Sequence, residues 1–142
     1  MSFILTDIGE EYYAKNDVGA SNVDGGLYND STDAISDTDD LAAIGTEPTG
    51  ASYARQVTEV SVADLSGDWG FDNDNQEQWD TSDSTQTVDG YFLVANFASA
   101  EAGDGGTATD HLIATGALSQ SRNLSDIDTL KISAGGLGVK VN

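Results

Sequence analysis

Nineteen aspartates and six glutamates stand against five Lys and Arg residues and one histidine, so carboxylate is the chemistry this chain has in quantity. Carboxylates can hold hard cations, exchange protons or carry a hydrated surface. Two stretches have cation-binding character: Asp72 and Asp74 within Asp72-Asn73-Asp74-Asn75, and Asp37 and Asp39 within Asp37-Thr38-Asp39-Asp40. Calcium takes about six to eight oxygens at roughly 2.3–2.6 Å, which loops of this composition can supply. An EF-hand loop starting at Asp72 would need glycine at its sixth position and glutamate at its twelfth. The chain has Glu77 and Asp83 there. Structural calcium is the minor expectation and plain hydrated turns the main one; no other cofactor is expected.

Acid–base catalysis needs a carboxyl displaced by burial or by a neighbour, and no spacing here singles one out. His111 has no second histidine and no cysteine to share a metal with, so a strand-edge or interface position is expected for it. Gly25-Gly26 and Gly103-Asp104-Gly105-Gly106 lack the following lysine of a phosphate loop and read as turns. The chain is expected not to be an enzyme. Arg55, alone among acids, should form an ion pair across strands, with a partner contact as the alternative. Trp69, Phe71 and Trp79 lie in an acidic stretch. They should form a satellite cluster under that loop or, alternatively, grip a sugar or a neighbouring subunit.

The formal net charge is −20 over 142 residues. At ordinary ionic strength such like charge repels itself and opposes a compact state. In about 1 M salt the Debye length falls to roughly 3 Å, and the repulsion is largely removed. Aspartate excess with only three lysines, Lys15, Lys131 and Lys140, therefore points to a protein adapted to brine. Nucleic acid is excluded as a partner, because phosphate binding needs clustered Lys and Arg. With no cysteine, disulfides and thiolate metal sites are excluded too. Met1–Asp7 has neither a basic start nor a long apolar run, so no signal peptide is expected, and no run is long enough to suggest a membrane span.

The elements that must position these residues are mostly strands. Asp7 to Asn16 predicts a short helix, capped by Asp7 with Glu10 three residues on. Gly26-Leu27-Tyr28 predicts a strand, and Asp30–Asp40 an acidic loop. Tyr53–Val62, Thr87–Phe97, Leu112–Leu118 and Thr129–Ile132 read as strands, the last pairing with Leu137–Val141 across the turn Ser133-Ala134-Gly135-Gly136. Leu137 and Val139 point to one face of that final strand. Residues 1–110 hold 23 acids against Lys15 and Arg55, whereas residues 111–142 hold Asp126 and Asp128 against Arg122, Lys131 and Lys140. So neutral a stretch should be interior strand or subunit contact. A single all-β domain over residues 1–142 follows, with residues 1–22 as an N-terminal arm and short helix.

Several of these pieces form an order that resembles a known family. They are Gly26-Leu27-Tyr28-Asn29-Asp30, Thr46-Glu47-Pro48-Thr49-Gly50, Ser52-Tyr53-Ala54-Arg55-Gln56-Val57, Val88-Asp89-Gly90-Tyr91-Phe92-Leu93, Gly116-Ala117-Leu118 and Ser133-Ala134-Gly135-Gly136-Leu137-Gly138-Val139. The chain resembles small tail-fibre-like and decoration virion proteins of tailed viruses, in the form found in viruses of haloarchaea. The likeness spans roughly residues 23–141, and Tyr53-Ala54-Arg55-Gln56 is its most specific element. It implies a jelly-roll-like β-sandwich and a place on the virion as a self-assembling capsid decoration or turret protein against the major capsid protein. The alternative it implies is a tail, baseplate or fibre component that recognises host-surface glycan. Against this pattern residues 64–84, with both tryptophans, look like an acidic elaboration.

Overall fold

The computed structural model describes residues 3–6, 8–9, 23–64, 69–99, 103 and 106–140. Their strands are β1 (Phe3–Leu5), β2 (Val23–Tyr28), β3 (Gln56–Thr58), β4 (Val60–Asp64), β5 (Trp69–Asn73), β6 (Glu77–Asp80), β7 (Thr87–Phe97), β8 (Thr109–Asn123), β9 (Thr129–Ile132) and β10 (Val139–Lys140). They form three antiparallel sheets, ordered β1-β8-β7-β2-β3, β10-β5-β4 and β6-β9. The all-β expectation holds. A jelly roll distributes eight strands over two sheets; the described strands divide instead five, three and two.

Alternation along β7 explains the layering, because successive side chains leave opposite faces of a strand. Tyr91, Leu93, Ala95 and Phe97 face inward and join Val23, Leu27 and Ile113 of the same sheet. Against them pack Trp79 from β6, Leu130 and Ile132 from β9, and Leu137. Phe92 and Val94 leave the opposite face, where with Tyr28 and Leu112 they meet Ile35, Leu41 and Ile44. The acidic loop after β2 is therefore a cover with an apolar underside. It contains one helical turn, Asp30–Asp33, and a 3-10 turn, Leu41–Ala43. Two glycines admit the aromatic rings beneath that cover. A Cβ at Gly26 would lie 2.4 Å from Phe92 Cζ, and one at Gly90 would lie 2.3 Å from Tyr28 Cε1. Gly26 pairs directly with Phe92, and Gly90 with Tyr28, so each ring lies over its cross-strand glycine. The rings themselves meet edge to face at 5.9 Å.

Three expectations need correction. Tyr53–Val62 is not one strand: it breaks at Glu59, with β3 in the five-stranded sheet and β4 in the three-stranded one. The closing hairpin does not form, since β9 pairs with β6 and β10 with β5. The turn itself exists, with Gly135 at φ +69 and Gly136 N–H donating to Ser133 O at 2.9 Å. Buried Asn73 redirects it: Asn73 Nδ2 donates to Ser133 O at 3.0 Å, its Oδ1 accepts from Leu137 N–H at 3.0 Å, and its carbonyl accepts from Gly135 N–H at 2.8 Å. Residues 64–84 are no appendage either. They contain β5 and β6, and Trp79 of β6 is fully buried in the main core. Finally, most of the N-terminal helix over Asp7–Asn16 lies outside the described residues. Ile8 and Gly9 are helical, and Gly9 N–H donates to Thr6 Oγ1 at 3.0 Å.

Candidate functional site

The most specific sequence motif forms a clamp. β3 pairs with β2 only as far as Gly25, so Leu27 N–H needs another acceptor, and Tyr53 Oη accepts it at 2.9 Å. Tyr53 Oη then donates to Glu47 Oε1 at 3.1 Å. The same carboxylate takes both Arg55 Nε at 2.9 Å and Nη2 at 2.7 Å, a bidentate pair. Arg55 also lies over the Phe92 ring, 5.2 Å from its centroid. Burial raises the Tyr53 pKa well above its ordinary value, so the phenol stays protonated and can make both bonds. Arg55 thus has its ion pair, within the connection leading to β3 rather than across strands.

The aspartates behave chiefly as acceptors for the backbone. Asp33 Oδ2 takes Gly45 N–H and Thr46 N–H at 3.1 Å each and the Thr46 hydroxyl at 2.7 Å. Asp89 receives Asp30 N–H at 2.6 Å and Ser31 N–H at 3.3 Å. Asp40 Oδ1 accepts Leu41 N–H at 2.7 Å and Leu112 N–H at 2.9 Å, while its Oδ2 meets His111 Nδ1 at 3.0 Å. Burial works to raise the pKa of Asp40, and the bonds from His111, Leu112 and Leu41 outweigh it, leaving the carboxyl below its ordinary value. His111 is not at an exposed strand edge. It is buried against Phe97, with Nε2 3.0 Å from Thr109 Oγ1. The order hydroxyl, imidazole, carboxylate is that of a hydrolytic triad. Asp40 also accepts two backbone amides, so the group ties the acidic loop to β8.

The cation candidates are dispersed. Asp39 binds Ser36 N–H and hydroxyl at 2.8 Å each, which hold its carboxyl below the ordinary range. Asp74 accepts the Ser61 hydroxyl at 2.6 Å, and Asp37 is exposed. Asp72 is half-buried. Among the described residues no three His, Cys, Asp or Glu side chains converge on a point that could hold a metal. Trp79 cannot grip a sugar or a subunit: its Nε1 donates to Gly25 O at 3.1 Å and its ring meets Tyr91 edge to face at 5.4 Å. The side chains of Trp69 and Val139 lie outside the described residues; Leu137 is core.

Glu77 was not singled out by its spacing. It is the one buried acid among the described residues, 3% exposed, and burial pushes its pKa up to about 7 against a bond from Thr58. The Thr58 hydroxyl also meets Tyr91 Oη at 3.0 Å. Strict alternation in Glu77-Gln78-Trp79-Asp80, with Trp79 inward, was the available signal that Glu77 points inward too.

A groove of about 560 Å³ separates β8 from β9. Leu118, Ile127, Leu130 and Ile132 give it an apolar floor, and Arg122 and Lys131 stand exposed at its rim. β7 advances only from Val88 to Gly90 while β8 runs from Arg122 to Ala117, so Leu118–Ser121 bulge out of the ladder. Beyond Gly116 the β1 side of β8 has no strand partner among the described residues, nor has the side of β9 away from β6. The near-neutral segment is thus interior over His111–Gly116 and largely exposed over Ala117–Asn123. Comparison with known proteins found no matching family model, no similar curated protein and no similar solved structure.

Proposed function

We propose that this chain is a structural virion protein of a tailed virus of salt-loving archaea. In this reading it is a capsid decoration or turret protein that assembles with itself on the head, against the major capsid protein. It works by assembly, not by catalysis. The observation that carries the reading is how the acid is used: the carboxylates with described side chains other than Glu77 stay outside the core, and many accept backbone N–H groups of their own chain. Such a surface binds water and salt and tolerates crowding of identical copies only where screening is strong. The motif order around Tyr53-Ala54-Arg55-Gln56 supplies the viral part of the reading. The tail or fibre alternative, with glycan held on Trp69 and Trp79, loses one of its two tryptophans because Trp79 is interior.

Antibody labelling of purified virions tests the assignment. Many copies per particle distributed over the head are expected, and a chain absent from mature particles overturns it. The adaptation to brine has its own measurement, circular dichroism during dialysis from molar salt to about 0.1 M. Loss of the β signal at low salt is expected, and a spectrum that stays fully folded counts against the reading.

A further inference from the structure

We infer that the groove between β8 and β9 is the socket through which one copy of this chain receives the acidic surface of the next. Among the described residues with described side chains there are three cations. Arg55 is taken by Glu47. The other two, Arg122 and Lys131, make no ion pair with a described carboxylate, and both stand at this groove. In a chain of net charge −20, unneutralised cations gathered beside an apolar floor are unexpected on a merely solvated face. They mark a surface complementary to acid.

The chain's own charge division identifies the occupant. Residues 1–110 hold 23 acids and two bases, whereas the segment that builds the groove is near neutral, so two copies are complementary head to tail and not face to face. A head-to-tail contact repeats and can close into a ring, the geometry that decoration of a particle axis requires. The strand edges flanking the groove, β9 and the bulged part of β8, offer backbone groups to an incoming extended segment as well. Salt acts on this contact in an unusual direction. Copies of net charge −20 repel one another at low ionic strength, and brine removes that long-range term. Contact pairs at the rim and burial of the apolar floor survive screening, so association rises with salt instead of falling.

This inference rests on the self-assembly part of the reading above. Sedimentation of the whole chain in molar salt is expected to show an oligomer, and Arg122→Glu with Lys131→Glu should weaken association at least tenfold with the circular dichroism unchanged. The chain has no cysteine, so Ser119→Cys, exposed at the same groove and leaving both cations in place, reports the neighbour directly when it carries a maleimide photo-crosslinker. In a mixture of isotopically light and heavy copies, inter-copy crosslinks should map to acidic peptides within residues 1–110. Crosslinks to the same groove of the neighbour, a monomer in molar salt, or unchanged association of the double variant each overturn the inference. So does capture of the major capsid protein in place of a second copy. Virions labelled normally alongside any of these results leave the virion reading standing. Unlabelled virions remove that reading without altering the sedimentation result.

Discussion

The acidic loop from Asn29 to Thr46 and the groove between β8 and β9 treat charge in opposite ways. In the loop, Asp33 and Asp40 are turned onto backbone amides and a histidine of the same chain, and Ile35, Leu41 and Ile44 cover Phe92 and Val94. In the groove, Arg122 and Lys131 face outward over an apolar floor. Charge directed at its own backbone stabilises this fold, and charge without such a partner is available to something outside it. Removing a loop carboxylate should therefore harm folding, whereas removing a groove cation should harm only association.

Trp79 gives the largest expected effect. It fills the core beneath β2 and β7, and its strand pairs with β9, which forms one wall of the groove. Trp79→Ala should destabilise the chain by about 3–5 kcal/mol, as for other large aromatics cut from cores. Denaturant unfolding in molar salt measures it, and a loss under about 1 kcal/mol would return the ring to a peripheral role.

Asp33→Ala tests the loop side. It leaves Gly45 N–H and Thr46 N–H without their acceptor, and a decrease of about 1–3 kcal/mol is expected. Amide exchange should quicken at Gly45 and Thr46 and remain slow at Leu93. Uniform exchange across the sheet would mean that the loop is not a separate cover.

Glu77 provides a pH-dependent contrast to the surface acids. Its folded-state pKa is raised, so the folded state holds the proton more tightly than the unfolded chain. Stability from this group is complete below its ordinary value of 4.5 and is lost as pH rises through about 7. Glu77→Gln should be more stable than the parent above neutral pH, on the order of 2 kcal/mol, with the advantage shrinking toward pH 4.5. Parallel denaturation curves across that range give the difference, and a pH-independent offset would remove the titration.

The sequence makes β7 legible, because Tyr91–Ala95 is an unbroken apolar run of strand length, the pattern of a strand covered on both faces. It also marks Arg55 as an ion-pairing residue, although not Glu47 as the partner. The closing hairpin misleads because a local turn signal is overruled by Asn73, which lies 60 residues away from Ser133 in the chain. Trp79 misleads because its neighbours Asp80 and Gln78 are polar on the outward face, and a four-residue strand is too short for the period to stand out. The groove is invisible in sequence for a related reason. It exists where pairing stops on two strands, and strand pairing is a property of the assembled sheet.

The smallest expected effect is also the sharpest test of the opening contrast. Lys131→Gln removes one charge from an exposed site with no described carboxylate in contact, so no ion pair among the described residues is lost. Glutamine keeps two of the four methylenes of the lysine stem. At dilutions where the chain is monomeric, the unfolding free energy should stay within about 0.5 kcal/mol of the parent, the usual range for such surface changes. The same substitution at concentrations where copies associate should weaken the assembly. Equal losses in both regimes would mean that Lys131 holds the fold together after all, and the distinction between charge spent inward and charge left for a neighbour would fail.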